Sequence, residues 1–180
     1  NGTNQQQFIV TDPAILNSFP NIPSIATLTA FKTPVTIYQL AQNLQAPYTM
    51  QSVVSVERAL PHNFRASATF SHVRSLHVLR VRAINAPLPG TFVPALPGSG
   101  VRPLGSINNF FEYDSSGRFD QNQLIFTLGG QLNRNATFNV NYTYGKANSD
   151  TDGSGTFAAN PYDFSEEYGR ANNDVRHRFV

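Results

Sequence analysis

From Ala136 to Gly145 the even positions read Ala136, Phe138, Val140, Tyr142 and Tyr144, and the odd ones Thr137, Asn139, Asn141, Thr143 and Gly145. A period of two is the period of a β-strand whose two faces meet different surroundings. The same rule governs earlier stretches. Tyr48, Met50, Ser52, Val54, Val56, Arg58 and Leu60 alternate with Thr49, Gln51, Val53, Ser55, Glu57 and Ala59. Phe64, Ala66, Ala68 and Phe70 alternate with Arg65, Ser67, Thr69 and Ser71, and Leu124, Phe126, Leu128 and Leu132 stand against Gln121, Gln123, Thr127 and Gln131. Beyond His72 the pattern loosens through Val78, Arg80 and Arg82, a segment expected to project past the regular sheet. Gly129-Gly130 inside a strand reads as a bulge.

The connections between these runs alternate between short and long. Pro61-His62-Asn63 and Asn133-Arg134-Asn135 are tight turns, since Pro presets φ and Asn tolerates the left-handed conformation. Residues 86–107 carry five Pro and four Gly, and residues 148–171 carry Gly and Asp, so both are long loops. Residues 1–45, with Pro13, Pro20, Pro23 and Pro34, read as another long loop that admits a short helix near Tyr38 to Leu44. An extended stretch from about Ile107 is expected to bend near Ser115-Ser116-Gly117. The chain thus divides into a loop (1–45), a hairpin (46–85), a loop (86–107), a hairpin (108–147), a loop (148–171) and the start of a further strand (172–180). Short turns on one edge and long loops on the other are the habit of transmembrane barrels. The expected fold is all-β, an antiparallel meander of about five to six long strands belonging to one partial barrel domain. That number is too few to close a barrel, whose smallest members need about 8 strands. The polar run at Asn1 to Gln7 and the pattern broken off at Val180 lead us to expect a piece of a longer protein with unpaired edges.

Composition narrows the class further. Asn and Gln together number 28, against 24 Asp, Glu, Lys and Arg, so the polar face is amide-rich rather than charged, as beside a wet, crowded lumen. Aromatic residues at 12% argue against disorder, and apolar runs of about 18 residues, which a membrane helix needs, do not occur. With no Cys the chain has no disulfide, thiolate metal site or Cys nucleophile. A net charge of +2 from scattered residues gives no basic stripe, so nucleic acid is not an expected partner. Alternation alone also fits a soluble extracellular sandwich, adhesive or carbohydrate-binding, or a filament subunit that adds strands from neighbouring copies.

Several segments resemble Oar-like TonB-dependent receptors. Gln45-Ala46-Pro47-Tyr48-Thr49-Met50-Gln51 running into Val56-Glu57-Arg58-Ala59-Leu60-Pro61 is similar to a strand of that family opening on PYTxQ and closing on ERxLP. Ala83-Ile84-Asn85-Ala86-Pro87-Leu88-Pro89-Gly90 with Arg102-Pro103, Ser115-Ser116-Gly117 with Gln123-Leu124, and Tyr142-Thr143-Tyr144-Gly145-Lys146-Ala147 follow in the same order. Asn173-Asp174-Val175-Arg176-His177-Arg178-Phe179-Val180 resembles the family's DxRHRFV. Ser71-His72-Val73-Arg74-Ser75 departs from the YVGSRG-like stretch often found there, because the Gly is absent. The resemblance implies a bacterial outer-membrane barrel of about 22 strands that acts as receptor or transporter for a large ligand. It also implies a plug domain and an energy-coupling complex as partners, neither present in these residues, with lipid around the wall.

Reactive groups are sparse. His72 and His77 fall on opposite faces of one extended segment, His62 sits in a turn, and His177 lies in the Arg-His-Arg run, so no catalytic role is expected. Asn148, Asp150 and Asp152, followed by Gly153, occupy positions 1, 3, 5 and 6 of a calcium-type loop. Position 12 is Ala159, with Glu166 and Glu167 further on, so a solvated acidic loop without a cofactor is the expectation and Ca²⁺ the alternative. Phe110, Phe111, Tyr113 and Phe119, with Arg102 and Arg118, are the candidate ligand surface, since aromatics and Arg dominate binding hot spots. Asn1-Gly2-Thr3, Asn135-Ala136-Thr137 and Asn141-Tyr142-Thr143 match the glycosylation sequon by chance composition.

Overall fold

The computed structural model describes residues 6–96 and 98–180. The sequon at Asn1-Gly2-Thr3 and Pro97 of the first Pro-rich loop lie outside them. The fold is an all-β antiparallel meander. Its strands are β1 (Thr36–Leu40), β2 (Tyr48–Leu60), β3 (Phe64–Ala83), β4 (Asn109–Asn133), β5 (Ala136–Ser149), β6 (Gly169–Arg170) and β7 (His177–Phe179). They form one sheet in the order β2-β3-β4-β5-β6, with β1 on β4 and β7 on β5. The chain divides into two compact units, one made of residues up to Gln39 with Ala83–Glu112, the other of Leu40–Arg82 with Tyr113–Val180.

Register decides what the alternation builds. In the second unit Leu60 pairs with Phe64, Val56 with Ala68 and Val54 with Phe70. Across the other hairpin Leu124 pairs with Tyr144, Phe126 with Tyr142, Leu128 with Val140 and Gly130 with Phe138. Because directly paired residues point to the same side, the apolar positions merge into one face and Thr127, Asn139, Asn141 and Thr143 into the other. Nothing in the chain covers the apolar face. Val54 is 67% exposed and Phe126 44%, and among the described residues the buried hydrophobic side chains are Ala41, Val81, Ala147 and Ala171. A sandwich needs a second sheet about 10 Å away with interdigitating side chains. Among the described residues none is there.

The apolar alternation occupies residues 64–70, 124–132 and 136–144, beside the two turns. About 9–11 residues cross a hydrocarbon layer, whereas β3 has 20 and β4 has 25. The remainder continues past the apolar band and carries Arg74, Arg80, Arg82, Asp114, Arg118 and Asp120. This is why the pattern loosens after His72 without the strand ending. His77 adopts φ 58° inside β3, and an extra left-handed residue of that kind is how a strand absorbs a bulge.

Turn chemistry follows the sequence at one hairpin and departs at the other. His62 (φ 63°) and Asn63 (φ 59°) give β2 and β3 a two-residue turn of the mirror-image type that matches strand twist. At the second hairpin Asn133 pairs with Ala136, leaving two residues in the turn rather than three. Asn133 Oδ1 accepts the Asn135 N–H at 2.9 Å. The irregularity lies between Gln131 and Asn133, not at Gly129-Gly130, which keep regular partners in Asn139 and Phe138. Gly130 has a different duty: a Cβ there would collide with the ring of Phe64. That ring lies 5.5 Å from the ring of Phe138, so two aromatics close over a glycine at the turn edge of the sheet.

Three local expectations are corrected. Residues 36–40 form β1 rather than part of a helix near Tyr38 to Leu44, because Thr36, Ile37 and Tyr38 favour a pleated surface. The helices of the first unit are instead α1 (Pro13–Leu16) and α2 (Ile25–Leu28), where Asp12 accepts the Ala14 N–H and Ser24 the Thr27 N–H. Ser115-Ser116-Gly117 does not interrupt β4. Gly117 lets the strands approach closely, since a Cβ there would stand 2.6 Å from the Val78 carbonyl oxygen.

Replacing Gly130 by Ala should destabilise the hairpins by about 1–3 kcal/mol, the usual range for overpacking. In a Phe64→Ala background the same change should cost much less. Denaturant unfolding of the four proteins of this cycle measures the coupling.

Candidate functional site

The strand ends opposite the short turns hold most of the buried polar side chains, and the two units organise them differently. In the first unit Asn85, 1% exposed, ties down the Pro-rich loop. Its Nδ2 donates to the carbonyls of Ser106 (2.8 Å) and Asn108 (2.7 Å), and its Oδ1 accepts the Leu104 N–H at 2.9 Å. Arg102 Nη1 donates to the Asn85 carbonyl at 2.8 Å. Phe110 contributes its carbonyl to the Ile84 N–H, and the Phe111 ring lies 5.3 Å from that of Tyr38. These three candidate ligand residues therefore order a loop and a strand end.

The other three lie in the second unit. The Tyr113 carbonyl accepts the Ala41 N–H at 2.9 Å. Arg118 is 3.1 Å from Asp120 and sits 4.3 Å over the ring of Tyr168, whose hydroxyl donates to Asp120 at 3.2 Å. Phe119, next along the strand, faces the other way and pairs in register with Ser149. The six candidates thus do not converge on one surface.

Ion pairs bind β3, β4 and the loop after β5 to one another. Arg74 is 3.5 Å from Asp120, Arg82 is 3.7 Å from Asp114, and Arg80 is 2.7 Å from Asp150. Asp150 Oδ1 also accepts the Arg118 N–H at 2.7 Å. Of the calcium-type trio, Asp150 therefore spends its carboxylate on Arg80 and a backbone amide, and Asn148 pairs with Arg170 across the β5/β6 ladder. Glu167 is occupied as well, accepting the Ala159 N–H at 2.7 Å. Among the described residues no three His, Cys, Asp or Glu side chains gather as a metal-holding group.

The His residues are similarly dispersed. His72 meets Asn122 at 2.8 Å, His177 meets the Tyr142 hydroxyl at 2.8 Å, and His77 meets the Ser115 carbonyl at 3.3 Å.

Sequence reasoning missed Asn85, Arg80 and Asp174 as organising residues. Asp174 lies beyond the apolar band with its side chain 1% exposed. It accepts the Ala147 N–H at 2.7 Å and faces Arg170 at 2.7 Å and Arg176 at 2.8 Å. The Ala147 amide, opposed by burial and aided by the two guanidinium groups, holds the Asp174 carboxyl below the ordinary aspartate range. The Asp-x-Arg spacing within the last eight residues was the one signal that could have exposed this clamp.

A carboxylate held low stabilises fully above the unfolded value near 3.9 and loses that contribution as pH falls through the lower folded value. Hydrogen exchange at the Ala147 amide should therefore stay slow down to the ordinary aspartate range and quicken below it. Asp174→Asn should exchange faster at neutral pH and lose the acid-dependent step.

Comparison with known proteins places this arrangement. The profile of the Outer membrane beta barrel domain family matches residues 1–180. No curated protein and no solved structure matches. A full-length match to that family, on a single sheet with one uncovered apolar face and long connections at one edge, means that the chain belongs to the outer membrane beta barrel domain family and resides in the bacterial outer membrane.

Proposed function

We propose that this chain forms part of the barrel wall and outer loops of a TonB-dependent receptor or transporter that takes up a large ligand across the outer membrane. The observation that carries this reading is the two-faced sheet: Val140 and Tyr142 on a side the chain leaves uncovered, Asn139, Asn141 and Thr143 on the other. In a barrel the first side meets lipid and the second borders the lumen or a plug. Every residue of β2 is exposed, so its outer edge is open to a further barrel strand. The ordered Oar-like segments support the energy-coupled form over a plain pore, with the plug and the coupling complex as partners. On this reading the wall residues make and break no bond; they shape a passage, and energy enters through the coupling complex.

The sandwich alternative lacks its second sheet among the described residues. The filament alternative uses the same open β2 edge and is separated by experiment.

A photo-cross-linking residue placed at Asn141 in the full-length protein should capture an upstream segment of its own reading frame in cells. At Val140 it should capture lipid alone. Capture of a second copy through β2 would instead mark a filament. Val140→Arg should cost about 2–4 kcal/mol if this position lies near the bilayer midplane, measured by denaturant unfolding in lipid vesicles, whereas Asn139→Ser should be nearly neutral.

A further inference from the structure

The loop that follows β5 folds back on the end of β3, where Phe157 bridges to Val81. It encloses a cavity of about 140 Å³ whose lining includes Arg80, Ser149, Asp150, Asp152, Glu167 and Arg170. Arg80 is 2% exposed and is the most deeply buried charged residue of this group. Its guanidinium carbon lies 4.3 Å over the Phe164 ring, and Nη2 is 2.7 Å from Asp150. Nε and Nη1 have no hydrogen-bond acceptor, and Nη2 meets Asp150 as an ion pair without hydrogen-bond alignment. A guanidinium carries five N–H donors, and burying them unmet is costly. The cavity therefore holds donors waiting for an acceptor.

Charge selects the acceptor. An added anion would sit among the carboxylates of Asp150, Asp152 and Glu167. The second cation in the lining, Arg170, is already engaged by Asp174 at 2.7 Å. An added cation would meet Arg80. A neutral hydroxyl suits both partners, since it accepts from a guanidinium N–H and donates to a carboxylate. Phe157, also in the lining, offers an apolar surface to the C–H face of a ring. Size agrees, because a cavity of about 150 Å³ holds one benzene-sized ring.

We propose that this cavity is a binding subsite for a single neutral pyranose ring, with Arg80 as hydrogen-bond donor, Asp152 and the free oxygen of Glu167 as acceptors, and Phe157 as the packing surface. The subsite requires only that the loop face the exterior. Energy coupling does not enter, so binding and transport fail separately.

The test uses the full-length barrel protein extracted in detergent. Methyl glycosides of glucose, galactose, mannose and N-acetylglucosamine serve as neutral probes, and acetate and inorganic phosphate as anionic ones. Saturation-transfer NMR should show saturable contact to the ring protons of at least one glycoside at millimolar concentration. Arg80→Lys keeps the charge opposite Asp150 but loses the forked donors, and should weaken that binding at least tenfold. Asp152→Asn and Glu167→Gln, which leave the Arg80 pair untouched, should each weaken it several-fold. Circular dichroism and heat-dependent gel mobility verify that each variant retains its barrel. The proposal is overturned if no glycoside saturates by about 50 mM, if either anion binds more tightly than every glycoside, or if folded Arg80→Lys binds like the parent.

Discussion

Every backbone N–H and C=O placed in a hydrocarbon layer must find its partner within the protein, and an antiparallel ladder that continues from strand to strand meets that demand. The ladder of this chain runs through β2, β3, β4 and β5. Once backbone pairing is fixed, side chains can point only up or down, so the sheet must sort its residues into two faces. The register brings Leu60 onto Phe64 and Phe126 onto Tyr142, and that sorting yields one apolar face and one amide face. A slip of one residue would exchange the faces, which is why the pairing is specified so strongly.

Local details serve the same constraint. Near the short turns, Gly130 removes a Cβ so that Phe64 can reach across β4 to Phe138, turning a gap into an aromatic border. Toward the other end, charge replaces apolar bulk. Arg74, Arg80 and Arg82 pair with Asp120, Asp150 and Asp114, which fastens the projecting strands where water and loops, not hydrocarbon, surround them. Long strands with charged tips thus place the loops well away from the apolar band. A loop held at that distance can be shaped by its own contacts, as Asn85 shapes one and Asp150 and Asp174 another.

Much of the architecture was legible in the sequence. The strands, both turn positions, the two long loops and the uncovered face follow from a periodicity read within about ten residues. The irregular parts were less legible. Residues 36–40 carry too short a pattern to tell strand from helix, and only pairing with β4 settles them. The bend expected at Ser115-Ser116-Gly117 rested on turn-forming residue types, yet close approach to Val78 gives Gly117 another reason to be glycine. For the candidate site the sequence located the right segments but grouped their residues wrongly. Arg118 and Phe119 are neighbours in the chain and so, on a strand, point apart.

What the sequence determined by itself is therefore the period-two order of faces and the placement of charge outside the apolar runs, because both depend on residues close in the chain. The tertiary structure alone decided that Arg80 meets Asp150, that Phe64 covers Gly130 and that Asp174 clamps Ala147. Those contacts join residues far apart in the chain, and no local rule of propensity or spacing encodes which distant strand or loop will arrive alongside.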